Sequence, residues 1–246
     1  MTTFPYRLDP ALGPTLGLIV LQEDETLEQD ARRLLPAAGR LHVTRVPSGA
    51  EVTPETLAAM ADTMTAAARL FPAAVRFAAV GYGCTSGTAV IGPARVAGLV
   101  RDGTRTEAVT EPVSALIAAC RALGVTRLAF LSPYVVEVSA RLREVLAEGG
   151  IACPVFGSFD EAEEARVVRI DTASVVEAAC ALARAPEAQA VFLSCTNLRT
   201  LDAIPEIERR TGKPVLSSNL VLLWHMCALA RLEGQFGALS APGPAA

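Results

Sequence analysis

Short apolar runs rich in Val, Ile and Leu alternate along the chain with longer stretches in which apolar positions recur at helical spacing. The short runs predict buried β-strands, and the longer stretches predict amphipathic helices. Strands are predicted near 15–21, 40–46, 76–82, 106–109, 127–132, 152–157, 189–194 and 214–217, and helices near 26–35, 54–69, 89–101, 112–123, 134–149, 172–184, 200–211 and 218–231. This alternation is typical of an α/β fold, in which helices cover a parallel sheet.

The same order of elements occurs twice in the chain. Residues 17–20 match residues 128–131, and residues 79–85 match residues 190–196, in both cases at an offset of 111 positions. This repeat predicts two similar parallel-sheet α/β halves related by a pseudo-twofold axis. Because ligands bind at the carboxyl ends of parallel strands, the two facing halves are expected to enclose one active-site cleft.

The repeat also predicts how the chain divides. We expect a first α/β domain from residues 1–111 and 218–246 and a second from residues 112–217, since the last helix is the counterpart of the helix at 112–123. The Gly/Pro/Ala-rich end, from Gly234 to Ala246, is expected to fray. The apolar last helix is compatible with burial inside the fold and with a contact in a homo-oligomer, so the oligomeric state stays open.

Composition and charge exclude several classes of protein. Of the 246 residues, 51% are hydrophobic, which suits a large core and excludes a disordered chain. The 22 basic and 26 acidic residues form no long run of one sign, so no nucleic-acid partner is expected. No apolar run reaches the roughly 18 residues of a membrane span, and the first residues do not resemble a secretory signal. We therefore expect a cytoplasmic protein with no membrane partner. Lys213 is the single lysine, which removes most lysine-dependent mechanisms.

Two of the six cysteines, Cys84 and Cys195, occupy equivalent positions of the repeat, where a strand gives way to a helix. The N–H groups and the dipole at a helix start can lower the pKa of a thiol and hold a substrate carboxylate. Either cysteine alone is equally typical of a core residue at a strand end, but their recurrence favours catalysis. We therefore predict both as catalytic residues. The polar residues that follow them are predicted to bind substrate: Thr85, Ser86, Thr196 and Asn197.

The other four cysteines fall within apolar strand or helix patterns and are predicted to pack in the core: Cys120, Cys153, Cys180 and Cys227. No Cys-x-x-Cys pair is present, so no metal site is predicted. Glycine-rich nucleotide-binding loops are absent as well. His42 and His225 lie in strand and helix patterns where packing is the expected role.

Residues 81–88 and 194–200 resemble the two cysteine motifs of the aspartate/glutamate racemase superfamily, in its maleate cis-trans isomerase and arylmalonate decarboxylase branch. The resemblance spans nearly the whole chain and implies cysteine chemistry without a cofactor or metal. In the isomerases, the cysteine matching Cys84 adds to the alkene as a thiolate, and the one matching Cys195 handles the proton on the neighbouring carbon. In racemases the pair acts as two opposed bases. The decarboxylase keeps only the second cysteine, so the presence of both favours an isomerase or a racemase.

The resemblance extends to three other places in the sequence. Tyr134 matches a tyrosine that contacts the substrate carboxylate, although an aromatic at a helix start can also simply cover the core. Asp24 stands where maleate isomerases have a carboxylate-binding asparagine, and a second such asparagine aligns near Asp160 and Glu161. Acidic residues there would repel a dicarboxylate and suit an acid that bears an amino or amide nitrogen. The alternative role for Asp24 is to favour the first turn of the next helix. The loop at 24–28 also resembles ectoine-utilisation members of the branch, whose substrates would be such nitrogen-bearing acids.

Three functions are compatible with these observations. The first is a cofactor-independent isomerase or racemase that acts on a small carboxylic acid through Cys84 and Cys195. The second is a cofactor-free decarboxylase that uses Cys195 alone. The third is a non-catalytic small-acid binding protein with two lobes. A racemase of a nitrogen-bearing acid in ectoine degradation is a variant of the first. The recurrence of the thiol favours the first function.

Overall fold

In the computed structural model, which describes residues 1–8 and 13–239, the strands form two parallel four-stranded sheets. The strands are β1 (Thr15–Leu21), β2 (Arg40–Val46), β3 (Phe77–Gly83), β4 (Thr106–Thr110), β5 (Arg127–Tyr134), β6 (Ala152–Glu161), β7 (Ala190–Leu193) and β8 (Val215–Ser217). The first sheet has the order β2-β1-β3-β4 and the second has the order β6-β5-β7-β8. The two orders are the same once each strand is replaced by its counterpart, so the predicted α/β fold with two similar halves is confirmed.

Helices connect the strands and cover the sheets. They are α1 (Leu27–Leu34), α2 (Pro54–Ala68), α3 (Thr85–Ile91), α4 (Pro93–Gly103), α5 (Pro112–Leu123), α6 (Val136–Glu148), α7 (Glu164–Val167), α8 (Thr172–Ala183), α9 (Ile204–Thr211) and α10 (Ser218–Leu229), followed by a 3-10 turn at Gly237–Leu239. No helix among these described residues is long and apolar enough to cross a membrane.

The single helix predicted at 89–101 is wrong, because the structure has two helices there. Gly92 has a φ of 93°, a conformation that side-chain-bearing residues rarely adopt, and Pro93 lacks the N–H group that would continue the helix. The first of the two helices, α3, starts directly after Cys84. The break therefore lets a short helix follow the thiol while α4 takes a separate direction along the sheet.

Two apolar clusters fill the molecule, and each combines residues of both halves. One contains Ile19 and Leu131 together with both repeat cysteines, Cys84 and Cys195. The other contains Leu18 and residues of α5 and α10. Neighbouring residues such as Leu18 and Ile19 belong to different clusters because successive side chains on a strand point to opposite faces. The two halves are thus packed together through both faces of their sheets.

Helix α10 contacts α5, α1 and β3. The boundaries 1–111, 112–217 and 218–246 remain our proposal for the division into domains, and residues 240–246 lie outside the described part of the chain. The expectation that the end frays from Gly234 is wrong as far as Leu239. Phe236 is fully buried and Leu239 is 4% exposed, because both pack into the second apolar cluster.

A short antiparallel contact also joins the halves near the carboxyl ends of the strands. Glu51 and Glu163 form an isolated β-bridge, in which the Val52 N–H donates to the Ala162 carbonyl at 3.0 Å and the Glu164 N–H donates to the Ala50 carbonyl at 3.0 Å. The bridge holds the start of α7 against the first half. The backbone of Glu164, the first residue of α7, is thereby hydrogen-bonded to Ala50 in the first half.

Candidate active site

Cys84 directly follows β3 and is the N-cap residue of α3. Its Sγ atom accepts a hydrogen bond from the Gly87 N–H at 3.1 Å, and the residue is 5% exposed. Glycine is required at position 87 because a Cβ atom there would lie 2.8 Å from Sγ and 2.7 Å from Cε of Met60. The strand end and the helix start together point the thiol at the junction between the two halves.

Cys195 follows β7 and has an unusual backbone conformation. Its φ is 96°, in the region that favours glycine. Three contacts hold the residue: its N–H donates to Ser218 Oγ at 3.0 Å, its Sγ accepts from the Asn197 N–H at 3.2 Å, and its Sγ lies 2.8 Å from the Tyr134 hydroxyl. A strained non-glycine residue kept in place by several partners is characteristic of functional sites.

A carboxyl group that the sequence analysis missed completes the surroundings of Cys195. Glu164 is 4% exposed and accepts hydrogen bonds from the Tyr134 hydroxyl at 2.7 Å and from Nδ2 of Asn197 at 2.9 Å. Tyr134 thus bridges the thiol and the carboxyl group. The acidic residue at the site is Glu164, whereas Asp160 is exposed and Glu161 is partly exposed, with an ion pair to Arg166 at 2.6 Å. The structure therefore places Glu164 beside Cys195, and it does not place Asp160 or Glu161 there.

Asp24 is at the site and also caps a helix. Its Oδ1 atom accepts the N–H groups of Thr26 at 2.8 Å and Leu27 at 2.7 Å, at the start of α1, which is the structural alternative considered for it. Its Oδ2 atom is buried and has no hydrogen-bond partner among the described residues. Asn197 anchors the same loop, since its Oδ1 accepts the Glu25 N–H at 2.9 Å and its carbonyl accepts the Thr26 hydroxyl at 2.8 Å.

The other predicted substrate-binding residues join the two cysteine loops. The Thr85 hydroxyl donates to Ser218 Oγ at 2.8 Å, and Ser218 Oγ also accepts the Cys195 N–H. The Thr196 hydroxyl donates to the Gly83 carbonyl at 3.1 Å, and Ser86 is buried beside Cys84. Ser218, the first residue of α10, is a second site residue that sequence reasoning missed. Its only signal was its place directly after β8, at the same edge of the sheet as Cys195.

Burial dominates the electrostatics of the site. It raises the pKa of the Cys84 thiol to about 12 and the pKa of the Cys195 thiol well above its usual value, and the carboxyl groups of Glu164 and Asp24 add to both shifts. The prediction that a helix start makes these thiols acidic is therefore wrong: the pKa of Cys84 is raised although α3 starts there, and no helix starts at Cys195, since α9 begins at Ile204. The Gly87 N–H does lower the pKa of Cys84, but desolvation outweighs it. Burial also raises the pKa values of Asp24 and Glu164.

This arrangement places two proton-carrying thiols in the same buried cluster. One thiol comes from each half of the fold, and Ser218 and the Thr196–Gly83 hydrogen bond connect their loops. Cys84, Cys195 and Tyr134 are 5%, 3% and 5% exposed, so a reaction here would be shielded from water.

The fold and the site define a class: pseudo-symmetric α/β proteins in which each half contributes one buried thiol to a shared site. The chain belongs to the arylmalonate decarboxylase family, whose model matches residues 50–240. It is 32% identical over 231 residues to the arylmalonate decarboxylase of Bordetella bronchiseptica, with 91% of this chain and 93% of that protein covered.

Maleate isomerases are similar as well. The enzyme of that name from Pseudomonas putida is 23% identical over 233 residues, with 89% of this chain and 92% of that protein covered. Among solved structures, a serine variant of the Nocardia farcinica maleate cis-trans isomerase with a covalently bound succinylcysteine intermediate matches with a TM-score of 0.78 and 25% identity. That match covers 89% of this chain and 94% of the other. The family predicted from the cysteine motifs is confirmed, and the relatives are enzymes of two kinds, an isomerase and a decarboxylase.

Proposed function

We propose that this protein is a cofactor-independent isomerase or racemase of a small carboxylic acid, with Cys84 and Cys195 as the catalytic pair. The observation that carries the proposal is the presence of a buried thiol just after the equivalent strands of the two halves, Cys84 after β3 and Cys195 after β7, in loops that Ser218 joins. A decarboxylase that protonates one face of its intermediate needs one thiol only. A reaction that moves a proton or a substituent from one carbon face to another can use two.

In the isomerase form of the proposal, the Cys84 thiolate adds to one alkene carbon and forms a C–S bond. The electron pair of the double bond moves to the neighbouring carbon, which takes a proton from Cys195. The central bond is then single and rotates. Cys195 removes the proton again, the C–S bond breaks, and the trans acid and the Cys84 thiolate are restored. The covalent cysteine intermediate of the Nocardia farcinica enzyme supports this sequence of steps.

In the racemase form, one thiolate removes the α-proton and the opposite thiol returns a proton on the other face. Both forms need the substrate carboxylate to be held while charge develops beside it. We assign this role to the Ser86 hydroxyl and to the backbone N–H groups of Thr85, Ser86, Thr196 and Asn197. The hydroxyl protons of Thr85, Thr196 and Tyr134 are donated to Ser218, Gly83 and Glu164, so Tyr134 would contact the carboxylate only after releasing Glu164. The six cysteines are free thiols, which supports our proposal of a reducing, cytoplasmic location.

Decarboxylation through Cys195 alone is the second candidate. The 32% identity to an arylmalonate decarboxylase favours it, as does the hydrogen bond between Cys195 and Tyr134, which Cys84 lacks. This candidate predicts that carbon dioxide is released from a malonate and that Cys84 can be replaced by glycine without loss of activity.

Incubation with maleate and with chiral 2-substituted acids in deuterated water tests the first proposal. We expect a trans product or α-deuteration in the wild type and loss of at least about three orders of magnitude in Cys84→Ser and in Cys195→Ser, because each step needs both thiols. Cys180→Ser is the matched control, since Cys180 is also buried but lies in α8. Full activity in either catalytic variant would refute the two-thiol proposal.

A further inference from the structure

We infer that the site selects a substrate that carries a cationic nitrogen as well as a carboxylate, and that Asp24 and Glu164 hold that nitrogen. The inference rests on the proposed function and names the class of acid on which the two thiols act. Its basis is the Oδ2 atom of Asp24, which is buried without a hydrogen-bond partner among the described residues. The buried carboxyl group of Glu164 and the two thiols are close enough for their charges to interact with Asp24.

The first observation is the unpartnered oxygen of Asp24. Helix capping by Oδ1 uses one of its two oxygens, and Oδ2 remains buried without a hydrogen bond among the described residues. The Thr196 hydroxyl lies close enough to Asp24 to lower the pKa of its carboxyl group, but its single proton is donated to the Gly83 carbonyl at 3.1 Å. A helix cap needs only one oxygen, and an asparagine or serine would supply it without a second buried acceptor. The second oxygen therefore calls for a donor from outside the chain.

The second observation is the absence of an internal cation within the described residues. The guanidinium group nearest to Asp24 is that of Arg45, which donates to the backbone carbonyls of Leu21, Gln22 and Asp24 and pairs with Glu28. No arginine, lysine or histidine in this part of the chain forms an ion pair with Asp24 or Glu164. Two buried carboxyl groups without a cation strongly disfavour a dianionic ligand and favour an ammonium group.

The third observation links these carboxyl groups to the chemistry. The charges of Glu164 and Asp24 oppose ionisation of both Cys84 and Cys195. A bound ammonium group would offset these charges and make it easier to form the thiolate that starts either form of the reaction. Binding of the cationic nitrogen would thus help to activate the thiols, in addition to orienting the substrate.

Equilibrium binding of a matched ligand pair tests the inference. Glutarate and 4-aminobutanoate share one carboxylate and three methylene groups, and they differ in carrying a second carboxylate or an ammonium group. Calorimetric titration of the wild-type protein at neutral pH is expected to show at least about tenfold tighter binding of 4-aminobutanoate, the size expected for a buried charged hydrogen bond. Equal binding, or tighter binding of glutarate, would overturn the inference.

The variant Asp24→Asn removes the charge and keeps the cap, since the asparagine Oδ1 can still accept from Thr26 and Leu27. We expect the preference for 4-aminobutanoate to fall by about tenfold and glutarate binding to strengthen. Glu25→Gln is the matched control because it removes one negative charge from the same loop, where Glu25 is exposed and lies near Arg169. It should leave the preference unchanged, and an equal loss in both variants would contradict a specific role for Asp24.

Glu164→Gln removes the second charge but also changes the hydrogen bonding, because its amide would face the Asn197 Nδ2 donor. Melting temperatures without ligand therefore accompany these titrations. If Asp24→Asn folds and binds without a change in preference, the inference fails while the two-thiol function stands. If the wild type prefers 4-aminobutanoate but Cys84→Ser remains fully active on amino-bearing acids, the inference stands while the proposed function fails.

Discussion

Replacing Tyr134 by Phe tests whether the Cys195–Tyr134–Glu164 contacts form one coupled unit. The hydroxyl is within 2.8 Å of Cys195 Sγ and 2.7 Å of a Glu164 carboxylate oxygen, and all three residues are buried. Phenylalanine fills the same space, so the change removes two hydrogen bonds and leaves the packing intact. The loss at Glu164 is expected to dominate because that carboxyl group keeps only Asn197 as a partner.

The magnitude depends on the charge of Glu164. A hydrogen bond to a charged group contributes about 1.5–3 kcal/mol and a neutral one about 0.5–1.5 kcal/mol. With Glu164 ionised, the two lost bonds together should cost about 3 kcal/mol, or roughly 6–12 °C in Tm for a chain of this size. With Glu164 protonated, the cost should fall to about 1.5 kcal/mol.

The pH dependence follows from the direction of the shift. Burial raises the pKa of folded Glu164 above its unfolded value of 4.5, so its contribution to stability is present below that value and is lost as pH rises through the folded pKa. The Tyr134 hydrogen bond opposes this shift, so its removal raises the folded pKa further. The difference in unfolding free energy between wild type and Tyr134→Phe must therefore grow from pH 5 to pH 8.

Urea unfolding at pH 5 and pH 8 measures this difference, and Glu164→Gln closes a double-mutant cycle. Thr44→Val is the control: Thr44 is buried and its hydroxyl donates to the Ala67 carbonyl at 3.0 Å, a partner that does not ionise, so its effect should be independent of pH. An equal destabilisation of Tyr134→Phe at both pH values, or additive effects in the cycle, would refute the coupled unit.

Two other predictions concern glycine packing at Cys84 and a buried carboxyl group on α1. In Gly87→Ala the new Cβ would lie 2.8 Å from Cys84 Sγ, so we expect at least about tenfold lower turnover with the fold retained. Kinetics measure the turnover and circular dichroism checks the fold. Wild-type turnover in this variant would contradict the prediction. Burial raises the pKa of Asp30 to about 6, so the contribution of Asp30 to stability should fall by up to about 3 kcal/mol as pH rises from 4 through 6, at about 1.4 kcal/mol per pH unit. Asp30→Asn, whose oxygen can still accept from Asn219, should flatten that part of the stability curve in urea titrations, and an unchanged slope would contradict the assignment.

The sheets and the thiols could be predicted from sequence because their signals are local. A buried parallel strand is a short apolar run, and each thiol lies within two residues of the end of such a run. The repeat then predicts that Cys84 and Cys195 act together, because they occupy equivalent positions in the two halves. The break at Gly92 and Pro93 also has a local signal, since both residues stop a helix, although the prediction of one helix at 89–101 overlooks it.

Glu164 and Ser218 could not be predicted, because contacts between distant segments set their positions. Glu164 is placed by the bridge between Glu51 and Glu163, which are far apart in the chain and belong to different halves. Ser218 matters only because Thr85 and the Cys195 N–H both converge on its hydroxyl. The prediction of acidic thiols is wrong for the same reason. The start of α3 after Cys84 is a local feature, but the burial that outweighs it comes from the packing of the two halves.

The two thiols occupy equivalent positions but not equivalent surroundings, and this difference supports distinct roles for them. Cys84 has a relaxed backbone and its Sγ accepts the Gly87 N–H, which favours the thiolate. Cys195 has a strained backbone, and the Tyr134 hydroxyl links its Sγ atom to the Glu164 carboxyl group, so Cys195 lies at the end of a chain of groups that can exchange a proton. A nucleophile or base benefits from the first setting, and a proton donor benefits from the second. The asymmetry therefore favours Cys84 as the attacking thiolate and Cys195 as the residue that delivers the proton.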